Sequence, residues 1–139
     1  MNTKVLLAAL AGAVVTFLTG WLLYGVALKG FFDAQVVESA KSVIREQPDL
    51  LHIFLGCVAW SLLLALLYSR WAGISTFKSG AIAGAWIGFL IALGADLFSF
   101  AGMNVSTIAG VLVDPIVNAV QSAIAGGVIG VVLGYDAKK

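Results

Sequence analysis

Apolar residues fall in four long blocks separated by short polar stretches. Each block is long enough to cross a bilayer as a helix, for which about 20 residues suffice. The blocks run from Val5 to Leu28, Leu50 to Tyr68, Ser79 to Phe100 and Pro115 to Gly134. Within the last two, small and polar residues recur at every fourth position. The third block carries Gly80, Gly84, Gly88, Ala92 and Asp96, and the fourth carries Asp114, Asn118, Ser122, Gly126, Gly130 and Gly134. Residues four apart lie nearly above one another on a helix, so each series is a strip of missing side chains with a polar head. Lipid tails are as apolar as leucine, so close backbone contact along such strips is what attracts one membrane helix to another. The pattern predicts an all-α membrane protein, a single domain of four transmembrane helices in an up-down-up-down bundle. Glycine opposite glycine sets Gly84 near Gly130 and Gly88 near Gly126, which carries Asp96 to Asn118 with Asp114 one turn beyond. A four-residue row drifts about 40° per step, so only part of each strip can face one partner. The row Ala8, Gly12, Thr16, Gly20 in the first span extends the same packing.

The connections differ in character. Between the first two spans, Phe32, Val36, Ala40, Val43 and Gln47 share one side at helical spacing while Asp33, Glu38, Lys41 and Arg45 fall elsewhere. This predicts an amphipathic helix over residues 32–47, lying in the interface or capping the bundle. Pro48 suits the first position of a new helix and Asp49 its positive end. The second connection, Ser69 to Lys78, is short and basic, which makes its flanking helices antiparallel. The third, Ala101 to Val113, is polar but uncharged. It suits either a re-entrant turn before a helix that starts at Pro115 with Asp114 as N-cap, the favoured reading, or a longer helix kinked at Pro115.

Composition agrees with a membrane location. The chain is 61% hydrophobic and 11% charged, with a mean hydropathy of +1.05, whereas soluble domains are about 25% charged. A net charge of +1 gives no electrostatic case for nucleic acid. The first block is too long for a secretory signal core and ends in Trp21 and Tyr24, so it reads as an uncleaved anchor. Lys4, Arg70, Lys78, Lys138 and Lys139 fall on one side and Lys29, Lys41 and Arg45 on the other. This bias places both termini in the cytoplasm.

Several local sequences suggest a family. These are Gly20-Trp21-Leu22-Leu23-Tyr24-Gly25 with Lys29-Gly30-Phe31-Phe32, Ala72-Gly73-Ile74-Ser75-Thr76-Phe77, Gly88-Phe89-Leu90 with Asp96-Leu97, and the run Ser122 to Gly130. Together the chain resembles small bacterial four-helix membrane proteins grouped as a domain of unknown function, with Bacteroidetes-like members. The resemblance implies an inner-membrane location and transfers no activity.

Candidate chemistry rests on polar residues at membrane depth, which are functional candidates by default. His52, Asp96 and Asp114 fall toward one face of the membrane, with Asn118 and Gln121 as hydrogen-bonding neighbours. One His and two carboxylates have the chemistry of a metal site or a proton path, but a cap role for Asp114, an interfacial His52 beside Asp49 and an Asp96–Asn118 latch are stronger readings. Cys57 is alone in an apolar run, so no internal disulfide can form. No HExxH, CxxC, GxSxG or phosphate-loop sequence occurs, and no cofactor, metal or enzymatic activity is assigned. Trp21, Trp60, Trp71 and Trp86 read as belt anchors or bundle filler, with a pocket for a lipid or quinone as the rival. Three functions follow: a structural or accessory protein whose partners are lipids, itself or a larger membrane complex; a small proton, ion or solute transporter using Asp96, Asn118 and Asp114; and a lipid-binding or lipid-modifying protein. The first asks least of the few polar residues.

Overall fold

The computed structural model describes residues 2–135; Lys138 and Lys139 lie outside the described residues. The regular elements are α1 (Thr3–Gly20), α2 (Lys29–Gln35), α3 (Leu50–Leu67), α4 (Phe77–Gly102) and α5 (Ile108–Gly134). α1 runs on into a π-helical stretch, Trp21–Ala27, and α3 into another, Tyr68–Ala72. Four rods of 25, 23, 26 and 27 residues result, each apolar enough to cross a membrane. At about 1.5 Å per residue, all exceed the roughly 30 Å hydrocarbon core.

Side-chain caps fix where the helices begin. Asn2, Asp49, Thr76 and Thr107 each accept a hydrogen bond from a backbone N–H two or three residues on, which satisfies a donor the helix leaves free. Two of these caps differ from the sequence reading. α5 starts at Ile108 under Thr107, one and a half turns or more before Pro115, and Asp114 is therefore a residue of the helix interior rather than its cap. Threonine caps nearly as well as aspartate, and the earlier start turns an uncharged, lipid-depth loop into satisfied helical backbone. Pro115 is tolerated inside the helix, where it removes one donor and leaves the carbonyl of Val111 without its usual partner. Likewise Asp49, not Pro48, borders α3, and Pro48 lies one position outside. The second rod ends at Gly73, whose φ of 60° is left-handed and suits glycine there.

The segment 32–47 is not one helix. α2 ends at Gln35, a 3-10 turn covers Glu38–Ala40, and turns and bends follow. Long-range bonds compete with its helical periodicity. Val36 bridges to Ser106 in antiparallel fashion, Val37 donates its N–H to the carbonyl of Val105 at 3.0 Å, and the N–H of Thr107 donates to that of Gln35 at 2.9 Å. Extended backbone at Val36 is needed to make these bonds, and it breaks the helix. This segment and the α4–α5 connection close one end of the molecule, here the capped end. At the opposite end Lys4, Ser69, Ser75 and Leu133 line one shallow recess, so the N-terminus, the α3–α4 connection and the end of α5 share it.

α4 and α5 run antiparallel at backbone contact. A Cβ on Gly80 would overlap the carbonyl of Gly126, one on Gly84 the carbonyl of Ser122, and one on Gly88 the hydroxyl of Ser122. Each missing side chain is therefore occupied by the facing helix. The expected pairs are displaced by about a turn. Gly84 meets Ser122 and Gly126, Gly88 meets Ser122 and Asn118, and Gly130 and Gly134 pack on the carbonyls of Thr76 and Ser75 before α4 begins. α1 lies against α3 and α5 through its own small residues: Gly12 faces Ile129 and Ser61, and Gly20 faces the amide of Gln121. Val5, Ala8, Ala9, Leu64, Ala65, Tyr68 and Ile129 form the buried core of the terminal half. α5 is central and the most buried of the four rods, whereas α3 and α4 turn most of their surface outward.

A methyl group discriminates the seam from the rest. Gly80→Ala and Gly126→Ala should each lower stability by about 1–3 kcal/mol through overpacking. Gly94→Ala, which would meet nothing within 4 Å, should be neutral or stabilising by about 0.5–1 kcal/mol. Thermal unfolding in detergent reads the difference; equal melting of all three variants would mean that the crossing is not a close one.

Candidate functional site

The displaced register decides which polar groups meet. Continuing outward from Gly88, α4 brings the Asp96 carboxyl beside that of Asp114 rather than to Asn118. Both line a half-open cavity of ≈ 260 Å³ at the capped end, together with Phe32 of α2 and Met103, Val105 and Ser106 of the α4–α5 connection. The Tyr24 hydroxyl, carried by the π-helical end of the first rod, lies beside Asp114 and Asn118. The Tyr24 ring packs on Phe32 with centroids 5.0 Å apart, which ties α2 to this site.

Two atoms of the cluster are buried without a hydrogen-bond partner of good geometry, Tyr24 Oη and Asp96 Oδ2. The reason lies in the donor inventory. Ionised carboxylates only accept, so Asp96 and Asp114 can bond to each other only if a proton is shared between them. Asn118 does not bridge the pair. Its side-chain oxygen instead accepts from the Ser122 hydroxyl at 3.4 Å, along its own helix.

His52 and Gln121 belong elsewhere. The His52 ring contacts Asp49 at 2.7 Å on the exposed surface, and Asp49 also bonds the His52 backbone N–H at 3.2 Å. Both are cap interactions of α3, in keeping with an interfacial role. Among the described residues no group of three His, Cys, Asp or Glu side chains converges, so His52, Asp96 and Asp114 are not brought together for a metal. Gln121 is 8% exposed and donates its amide N–H to the carbonyl of Thr16 at 2.8 Å. Thr16 in turn meets the hydroxyl of Ser61 at 3.4 Å. These residues link α5, α1 and α3 near the middle of their spans, where a side-chain hydrogen bond across helices is a recurrent glue.

Two tyrosines matter more than the sequence suggests. Tyr68 is fully buried, and its hydroxyl donates to the carbonyl of Gly80 at 2.6 Å. The oxygen occupies the notch that a Cβ on Gly126 or Gly84 would enter. Both Tyr24 and Tyr68 stand near span ends in the sequence, where aromatic residues ordinarily anchor at the interface. The available signal for Tyr68 was its distance from the glycine strips in the chain, which gives no hint of contact. For Tyr24 the nearby glycines, Gly20 and Gly25, are compatible with either role.

Together the fold and site define an all-helical protein with four candidate membrane spans and a carboxyl pair at one end. Comparison with family models, with curated proteins and with solved structures gave no match to this chain.

The two polar links predict different sensitivities. Tyr68→Phe removes one buried hydroxyl and should cost about 1 kcal/mol, whereas His52→Ala removes an exposed contact and should stay within about 0.5 kcal/mol of the parent. Denaturation in detergent measures both, and a larger loss from His52→Ala would show that the α3 cap carries more than its surface position implies.

Proposed function

We propose that the protein is a structural or accessory component of the bacterial inner membrane, crossing it four times in up-down-up-down order with both termini cytoplasmic. The observation that carries this reading is where the polar groups stop. Asp96, Asp114, Tyr24, Asn118 and Gln121 occupy the capped half and the middle, while beyond Ser122 the α4/α5 contact is glycine backbone sealed by Tyr68. A path for solute or protons needs polar groups or water through both halves. What the remaining surface offers is apolar helix: Leu55, Ile82, Trp86, Leu90 and Phe98 are all exposed, suited to lipid, a second copy or a larger membrane complex. The basic residues support the orientation. On the capped side Lys29 pairs with Asp33, Lys41 with Glu38 and Arg45 with Asp49, whereas Arg70 and Lys78 flank the opposite connection with no acidic neighbour in sequence.

Orientation is testable with single thiols. In a Cys57→Ser background, Ser39→Cys should react with an impermeant maleimide in intact cells and Ser75→Cys only after lysis. Labelling of Ser75→Cys in intact cells reverses the assignment.

A second reading, a small proton or ion transporter, is favoured by one observation, the unpartnered Asp96 Oδ2 and Tyr24 Oη beside Asp114. Purified protein in liposomes separates the two. Under the first reading an imposed proton or cation gradient decays no faster than in empty liposomes, and extraction in mild detergent yields the protein in its native assembly. Flux that Asp96→Asn abolishes would replace the first reading with the second.

A further inference from the structure

We infer that the lateral cleft between α3 and α4 is a binding site for an uncharged, lipid-soluble molecule whose ring head carries a hydroxyl, the chemistry shared by quinols and alkylphenols. α3 packs chiefly on α1 and α4 on α5, which leaves a gap of ≈ 300 Å³ between α3 and α4, walled by Cys57 and Trp60 on one side and Ile91 on the other, with Thr16, Asn118 and Gln121 as its floor. That volume is at the lower end of the roughly 300–1,000 Å³ typical of ligand pockets, enough for a ring head with its tail left in the bilayer.

The floor specifies the head. Gln121 is 8% exposed, and its amide nitrogen is committed to Thr16. Its amide oxygen accepts no hydrogen bond from the described residues, and the residue lines the cleft. An unpartnered acceptor at membrane depth lacks water, so a ligand that brings a donor is favoured over a hydrocarbon chain. No charged side chain lines the cleft, which removes any counter-charge for a phosphate or carboxylate head. Gln121 also stands midway along the 27-residue helix Ile108–Gly134, a depth at which neutral ring lipids reside and large zwitterionic heads do not. Trp60 supplies an aromatic wall for the ring.

The test uses Cys57, the chain's single thiol, as a reporter in protein reconstituted into phosphatidylcholine nanodiscs. 4-Nonylphenol should slow alkylation of Cys57 by N-ethylmaleimide saturably and at least fivefold, whereas nonylbenzene, the same molecule without the hydroxyl, should slow it less than twofold. Gln121→Met keeps the shape and removes the acceptor, so it should bring the phenol down to the nonylbenzene level. Gly56→Phe places a ring at the cleft mouth where an added Cβ meets nothing within 4 Å; it should keep the parent's melting temperature and abolish protection by the phenol. Equal protection by the two probes would show a merely apolar cleft, and protection by neither, or oxidative cross-linking of Cys57 between two copies, would show an empty or self-occupied one. Each of these outcomes overturns the inference. If Gln121→Met does not fold, the comparison of phenol with nonylbenzene on the parent protein still decides.

Discussion

The structure depends on one contact, the backbone-to-backbone crossing of α4 and α5. Its glycines leave notches that the facing carbonyls, the Ser122 hydroxyl and the Tyr68 hydroxyl fill. Among lipid tails no solvent is released when two apolar helices meet, so attraction must come from contacts at short range. Dispersion falls steeply with a gap of even 1 Å, and a single methyl group on the seam would open such a gap along the whole crossing. The Tyr68 bond adds a directional element. It brings the end of the second rod onto the seam and sets the height at which that rod docks, while the small residues of α1 let the first rod close against both. α5 is the most buried helix for this reason, and α3 and α4 are left splayed.

The same crossing determines the chemistry at the capped end. Once Gly88 accommodates Ser122, rigid helical geometry carries Asp96 up to Asp114, however poorly two carboxyls suit each other. Sliding the pair by one turn would bring Asp96 toward Asn118, a better hydrogen-bonding partner. It would also take Gly80, Gly84 and Gly88 off the positions where Ser122 and Gly126 fit them. The close contact wins because it recurs over several turns, whereas the carboxyl pairing occurs once and can be eased by a shared proton or by water in the adjoining cavity. The cap segment follows as well: Phe32 and the bonds of Gln35, Val36 and Val37 to residues 105–107 cover a polar site that would otherwise open on the membrane surface.

The four spans and the antiparallel glycine crossing were legible because both depend on local properties, length, hydropathy and residue size at fixed spacing. The register was not. Aligning glycine with glycine treats the strips as uniform, but a serine can sit in a glycine notch, and Gly130 and Gly134 pack most closely on the carbonyls of Thr76 and Ser75, just before α4 begins. The start of α5 follows the less favoured of the two sequence readings, the longer helix, because Asp114-Pro115 reads as a cap and first turn while Thr107 caps nearly as well and spares the intervening backbone from standing unpaired. Residues 32–47 carry helical periodicity, yet the strand-like bonds to the α4–α5 connection are long-range and invisible in a local pattern. Tyr24 looked like an interface aromatic for the same reason, since its partners are distant in the chain, and so is the carbonyl that Tyr68 meets. His52 meets Asp49 and stands apart from Asp96 and Asp114, and Gln121 is a link between helices rather than a donor to Asp96.

The polar groups sit in two tiers whose physical states differ. In the middle tier, Gln121, Thr16 and Ser61 use side chains that both donate and accept, so each can bond its neighbour without a proton being gained or lost. In the capped tier, Asp96 and Asp114 only accept when ionised, and the tyrosine beside them does not complete the set. A tier of the first kind holds helices together under any conditions in which the helices persist. One of the second kind changes its bonding with every proton, ion or water that enters the cavity. The glycine seam between Ser122 and Gly134 keeps such changes from reaching the terminal half, because it offers backbone and hydrocarbon but no further side chain to accept a charge.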